Sequence, residues 1–448
     1  MSTHKEGKKI GAWILTFFVA GTIVGSGVYM LPASLAGYGS IGLLSWIVTA
    51  IGAVFLALVF AKLGSVMPAN GGPYAYSHAE FGDFVGFQTA YCYWLTAWVG
   101  NISYIPATIG YLAFFFPHIT NYTAYIGVGL LWLFGIINML GVKNAGLVSV
   151  VTTIFKFIPL IIVVALGWAY FHPSYLTSSF NVSGGSAVSA FTIAAALTLW
   201  SFLGVEAATV PAGSVKRPKR NIPLATIIGT LAAAALYIIT CTLIMGMIPM
   251  KQLAVSTFPF SEAGKILLGS FGGFIITFGA LFSLLGAINS WTLLGVQATM
   301  SAADDGLFPK VFGKRNKFGV PGWGIFITTV VSSVLFYLTS YLNIIKQFEI
   351  FILSATSLAV IAYLYTCIAE IVYLYRNKQK LTRVKINIFI GVVGAAFSIF
   401  AIASSSEQVV YYVMILLLIS IPLYGLMVVQ KNKDKEKNKM IGRRKKIK

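Results

Sequence analysis

Charge is scarce in this sequence. Asp, Glu, Lys and Arg make up 10% of its 448 residues, where a soluble domain carries about 25%. Acidic charge is scarcer still, at 12 residues against 32 basic ones. With 58% hydrophobic residues and a mean hydropathy of +0.84, one soluble core cannot absorb the apolar surface. A soluble enzyme and a disordered chain are thereby excluded. Cysteine is nearly absent: Cys92, Cys241 and Cys367 all fall in apolar segments without a CxxC pair. That excludes a disulfide framework and a thiolate zinc site. His4, His78, His118 and His172 are scattered, so neither a histidine-built metal site nor a cofactor is expected. The net charge of +20 would suggest nucleic acid on a soluble protein. On a membrane protein it records topology, because Lys and Arg collect on the cytoplasmic side, so no nucleic-acid partner is expected.

What is present is a series of long apolar runs, each long enough to cross a bilayer as a helix. Twelve are read: 11–36, 41–66, 85–116, 123–141, 148–171, 186–211, 223–248, 271–302, 321–342, 347–375, 386–404 and 409–430. The third and eighth exceed a flat span, which predicts tilt. With the N-terminus inside, 28 of the 32 basic residues flank one side. Lys251, Lys265 and Lys346 lie opposite, and Lys156 lies inside a span. This asymmetry predicts cytoplasmic termini on both ends. The first apolar run is too long for a signal-peptide core and leads straight into further spans, so no cleaved leader is expected. The basic tail, 431–448, reads as a solvated topology signal within reach of anionic lipid.

Two spans carry helix-breaking sequence. Gly21-Thr22-Ile23-Val24-Gly25-Ser26-Gly27 places three glycines in seven residues, each costing a helix about 1 kcal/mol relative to Ala. The sixth span has a matching weak point at Trp200-Ser201-Phe202-Leu203-Gly204-Val205-Glu206. Irregular backbone cannot face lipid but can line a polar cavity. Paired breaks in corresponding positions of two halves point to a transporter built from inverted repeats, with substrate at the midplane. The half-helix after Gly25, Ser26 and Gly27 offers free N–H groups to a carboxylate. Carbonyls freed at Ile23, Trp200 and Leu203 suit an ammonium. The competing explanation for the glycines is close helix packing.

Charges inside spans stand out because they are expensive there. Glu206 is the acid deep inside a span and Lys156 the corresponding base; Glu370 sits near the cytoplasmic end of its span. Glu206 is the candidate for taking up and releasing a proton, against a purely structural carboxyl. Lys156 can pair with carbonyls of the broken first helix or lose its own proton, against a lysine that snorkels to an interface. Trp200 and Trp291 can cover an ammonium with an indole face. Each competes with ordinary packing among 64 aromatic residues.

The stretches GSGVYMLPASLA, PANGGPYAY, LWSFLGVEAA, KRPKRNIPLATI and AADDGLFPKVF together resemble the amino acid–polyamine–organocation superfamily. Its branch of basic amino acid/polyamine antiporters, including arginine/agmatine and putrescine/ornithine exchangers, is the nearest resemblance, over residues 8–430. The resemblance implies an all-α polytopic fold of twelve transmembrane helices. These form a five-plus-five inverted repeat, 11–171 and 186–375, with broken helices 1 and 6. Two further helices, 386–430, follow, flanked by cytoplasmic tails 1–10 and 431–448. It implies Glu206 as a proton sensor and Lys156 as a coupling site or fixed substitute for sodium. Trp200 becomes a lid and Trp291 a substrate wall. Tyr93 and Tyr363 become gates, and Asn101 approaches the substrate side chain. A bacterial inner-membrane location follows, and a homodimer is left open.

The pocket departs from the arginine/agmatine exchanger at Thr22, Ala97 and Tyr104, so arginine is not assumed. That exchanger also lacks the lysine at position 156. Exchange of a cationic amino acid or its polyamine product is the favoured expectation. Proton-coupled symport of broader or neutral amino acids is the alternative. A membrane enzyme would need a nucleophile–base pair or metal cluster, and a channel a repeated filter or charge ring; the sequence displays none of these.

Overall fold

The computed structural model describes residues 10–68, 71–177, 180–210, 212–377 and 381–446. The segment 1–9, with Lys5, Lys8 and Lys9, lies outside the described residues, as do Lys378, Lys380 and Lys448. Among the described residues there are sixteen α-helices and no strand. They are α1 (Ala12–Ile23), α2 (Ser26–Ala36), α3 (Ile41–Val66), α4 (Pro73–Phe81), α5 (Asp83–Ala113), α6 (Thr123–Met139), α7 (Val142–Leu166) and α8 (Pro173–Thr177). The second half adds α9 (Ala187–Leu199), α10 (Pro218–Met247), α11 (Met250–Leu253), α12 (Pro259–Asp304), α13 (Gly322–Thr339), α14 (Ile344–Arg376), α15 (Leu381–Ala403) and α16 (Glu407–Lys446).

Among the described residues, ten helical segments are long and apolar enough to cross a membrane. Their outward faces stay apolar: Trp13, Phe17, Phe389, Leu418 and Leu426 are all exposed. Such a belt would aggregate in water and belongs in lipid. The protein is an all-α integral membrane protein. α5 is not among the ten because its inward faces are polar, with Thr89, Thr96, Asn101, Ser103 and Thr108 all buried. It runs through the middle of the bundle between α12 and α14. α10 packs along α3 and α1, and α12 along α7. α12 is longer than the apolar run within it and bends at Leu268 and Gly269, where φ is +63° at the glycine.

The two ends of the bundle differ. One carries the exposed Lys216, Arg217, Lys219, Arg220, Lys314 and Arg315; we call it the basic face. There Tyr74 Oη donates to Asp305 Oδ2 at 2.6 Å, and Arg376 reaches Glu80 at 3.1 Å. Lys431 Nζ donates to Asp83 Oδ2 at 2.8 Å, with His78 on the other oxygen at 2.9 Å. Hydrogen bonds from Lys431 and His78 hold the Asp83 carboxyl below the ordinary carboxylate range. Such pairs at a water-facing end stabilise little individually, but together they tie α4, α5, α12, α14 and α16 at one end. At the opposite end backbone bonds join loops instead, Ile41 N to Phe180 O at 3.0 Å and Val182 N to Tyr38 O at 3.3 Å.

Candidate functional site

The first break is narrower than the glycine cluster suggests. Gly21 stays inside α1, and the chain leaves the helix at Val24 (φ −68°, ψ 105°) and Gly25 before α2 restarts at Ser26. Helix ends leave carbonyls without intrahelical partners, and here protein donors take them. Lys156 Nζ donates to Gly21 O at 2.7 Å and to Val24 O at 2.9 Å. Tyr237 Oη donates to Ile23 O at 2.7 Å. Lys156 is 6% exposed, and its own carbonyl accepts from Tyr29 Oη at 2.7 Å. Tyr29 O in turn accepts from Tyr111 Oη at 2.9 Å. α7 is thus bonded to both halves of the broken helix.

The second break follows α9. Trp200–Phe202 form a single 3-10 turn, Leu203 is extended, and Gly204 adopts φ +105°. Only glycine takes that backbone cheaply. A Cβ on Gly204 would also meet Thr22 Cγ2 at 3.0 Å, so the two breaks face each other. Thr22, a departure in the pocket, bonds its own helix at Phe18 O (2.7 Å).

Glu206 lies just past this break, 1% exposed. Its Oε1 accepts from Tyr93 Oη at 2.8 Å. Its Oε2 accepts from Tyr363 Oη at 2.6 Å and from Gly204 N at 3.1 Å. Three donors converge on this one carboxyl and clamp α5, α14 and the break together. Phe60 backs Tyr363 edge-on, with centroids 5.2 Å apart.

Across the breaks from this clamp, aromatic rings close the site. Trp200 Nε1 donates to Ser26 Oγ at 3.1 Å. The Trp200 ring stacks on Trp291 at 6.1 Å and 21°, and Tyr104 packs against it at 6.0 Å. Small residues permit this approach. A Cβ on Gly25 would meet Tyr104 Oη at 2.7 Å, one on Gly27 would strike Ser201, and one on Gly100 would meet Trp200 at 2.6 Å. Close packing and site formation are therefore one property of these glycines. Beyond Trp291, Asn101 Nδ2 donates to Thr292 Oγ1 at 2.8 Å while its Oδ1 is buried without a partner among the described residues. Asn101, Trp291, Ala97 and Thr328 line a cavity there.

The structure thus gathers Ile23, Gly25, Ser26, Gly27, Lys156, Trp200, Leu203 and Glu206 at the facing breaks. Tyr93 and Tyr363 join Glu206, and Trp291 joins Trp200, whereas Asn101 stands one layer behind. Tyr237 is the contributor that sequence reasoning missed. It is one of 22 tyrosines in an apolar helix, with no local signal that it reaches Ile23. Among the described residues no group of three or more His, Cys, Asp or Glu side chains is arranged for a metal ion.

Comparison with known proteins shows the family. A family model described as amino acid permease matches residues 10–437. The chain is 33% identical over 408 residues to the cadaverine/lysine antiporter of Escherichia coli (strain K12), covering 89% of this chain and 90% of that one. It is 31% identical over 428 residues to the putrescine transporter PotE of the same strain, covering 95% and 97%. The PotE protein of Haemophilus influenzae is 31% identical over 422 residues, covering 94% and 97%. These relatives are transporters rather than enzymes, and with nearly its whole length matched the chain belongs to the amino acid permease family of membrane transporters.

Proposed function

We propose that this transporter exchanges a cationic amino acid for the diamine formed by its decarboxylation. It would do so by alternating access across a bacterial inner membrane. The similarity to a cadaverine/lysine antiporter and to putrescine transporters supports the substrate class. The observation that carries the mechanism is the closure of the two facing breaks from both sides. The Glu206 clamp lies on one side and the Trp200–Trp291 stack on the other. A site reached from one side at a time needs two such closures. In this reading the chain crosses twelve times, as a five-plus-five inverted repeat (11–171 and 186–375) and two further helices (386–430). The basic face and both termini, 1–10 and 431–448, are cytoplasmic, as the bias of 28 of 32 basic residues supports.

The roles follow from chemistry. The N–H groups of Ser26 and Gly27 at the start of α2 receive the amino acid carboxylate. Ammonium groups are received by the carbonyl ends at Trp200 and Leu203, by the second lone pair at Ile23, and by the Trp291 face. Tyr93 and Tyr363 gate the cytoplasmic side through Glu206, and Trp200 gates the other. Asn101 meets the distal end of the side chain. All these residues come from one chain, so a homodimer would hold two complete sites. A proton-coupled symport of broader substrates is the second reading, and the seat of Lys156 on two break carbonyls favours it. Neither reading calls for a cofactor.

Trp291→Ala is expected to weaken substrate binding about 5- to 30-fold, since a desolvated cation–π contact contributes roughly 1–2 kcal/mol. Trp291→Phe should retain most of the affinity. Titration of the purified protein with lysine and cadaverine checks this, and unaltered affinity would remove Trp291 from the pocket. The exchange reading itself is tested by counterflow in proteoliposomes, with labelled lysine, ornithine, arginine, cadaverine, putrescine and neutral amino acids. Accumulation of a cationic amino acid against its diamine is expected. Accumulation confined to neutral amino acids would overturn the substrate class.

A further inference from the structure

Glu370 is a second carboxyl inside the bundle, and nothing above uses it. It lies on α14, is 1% exposed, and neither carboxyl oxygen has a hydrogen-bond partner among the described residues. A buried acceptor without a donor is destabilising, and an ionised one most of all. A carboxyl kept at such a position invites a use. Tyr363 stands seven residues earlier on the same helix. Seven residues are nearly two turns, so the two side chains share a face, with Glu370 ~10 Å further along the axis. Tyr363 is the residue whose hydroxyl donates to Glu206. The helix then continues to Arg376, bonded to Glu80 at the basic face. Glu370 therefore lies on the line from Glu206 to that face.

Its charged surroundings are few. Lys62 on α3 interacts with it electrostatically, as does the Cys367 thiol one turn earlier on α14. On α4 Glu80 is turned to Arg376, and at the start of α5 Asp83 is engaged by His78 and Lys431. Tyr365 on α14 donates to Gln88 of α5, and Lys385 on α15 is exposed.

We propose that Glu370 is a proton-binding site that loads and unloads Glu206 from the cytoplasmic side. This rests on the transporter reading. When the tyrosine clamp opens and admits water, the Glu370 carboxyl gives its proton to that water, which passes one on to Glu206: the Glu370 O–H bond breaks and a Glu206 O–H bond forms. The Glu370 carboxylate left behind is balanced by the Lys62 ammonium until cytoplasmic water returns a proton. The unpartnered oxygens are those of a carboxyl that must change its charge without first breaking hydrogen bonds.

The test uses the full chain in oriented proteoliposomes with a trapped pH dye. Wild-type counterflow at equal internal and external pH tests the transporter reading separately. Glu370→Gln is expected to flatten the dependence of counterflow on the pH of the cytoplasmic compartment. It should also cut substrate-driven proton movement at least tenfold (roughly, for the loss of a relay group). Glu370→Asp should restore both. Wild-type behaviour of Glu370→Gln overturns the proposal, as does an equal loss in the Gln and Asp variants, which marks a structural carboxyl. Absence of substrate-driven proton movement in the wild type overturns it too, while leaving exchange intact.

Discussion

Lys156→Ala is expected to bring transport down about 100-fold or more in a protein that still elutes as a single species from detergent. The ammonium holds Gly21 O and Val24 O, the carbonyls of the last turn of α1 and of the break itself. Hydrogen bonds to charged groups contribute about 1.5–3 kcal/mol each, and acceptors left buried and unpaired carry a further cost. Losing about 3 kcal/mol from the conformation that binds substrate corresponds to roughly 100-fold. α1 would recover by extending its helix through Val24, which removes the opening that the glycines create. Alanine tests this cleanly because it leaves room for water but no fixed donor. Full activity with intact ion coupling would return Lys156 to a purely structural part.

Glu206→Gln is the second large effect. The ionised carboxylate accepts three hydrogen bonds, from Tyr93, Tyr363 and Gly204 N. A proton on either oxygen turns that oxygen into a donor and removes an acceptor from the clamp. Acid therefore loosens the cytoplasmic closure, and wild-type exchange should accelerate as pH falls. Glutamine presents one oxygen and one NH2 group, so it imitates the protonated state at every pH. The variant should run at or above the low-pH wild-type rate, with a profile flat to within about twofold. One charge-assisted bond of about 1.5–3 kcal/mol sets the expected span between high and low pH at tenfold or more. A variant retaining the wild-type pH profile in liposomes would sink the proton role of Glu206.

Rare residues and composition made much of this legible beforehand. Apolar runs marked the helices because lipid admits few polar side chains. Gly25 and Gly204 marked the two breaks because helices avoid glycine and one of them needs φ above zero. Glu206 and Lys156 were conspicuous because charge is nearly absent around them. The partners of those charges were not legible. Lys156 lies more than 130 residues from Gly21 and Val24, and only the packing of α7 on α12 and α10 sets its reach. Tyr237 looked like any aromatic residue in an apolar helix, yet it caps Ile23. By sequence alone, Glu370 reads as a residue near the cytoplasmic end of its span. It is buried because α4 and α5 pack against that end of α14. The bend at Leu268 and Gly269 was hidden because a single glycine in an apolar stretch does not by itself mark a bend.

Obligatory exchange through one closed site shows itself in efflux. Proteoliposomes are loaded with labelled cadaverine or putrescine and diluted into buffer with or without external lysine or ornithine. Efflux into plain buffer is expected to be slow, and at least tenfold faster when the cationic amino acid is outside (an order-of-magnitude expectation for a site that reorients mainly when occupied). Equal efflux rates with and without external substrate would contradict it.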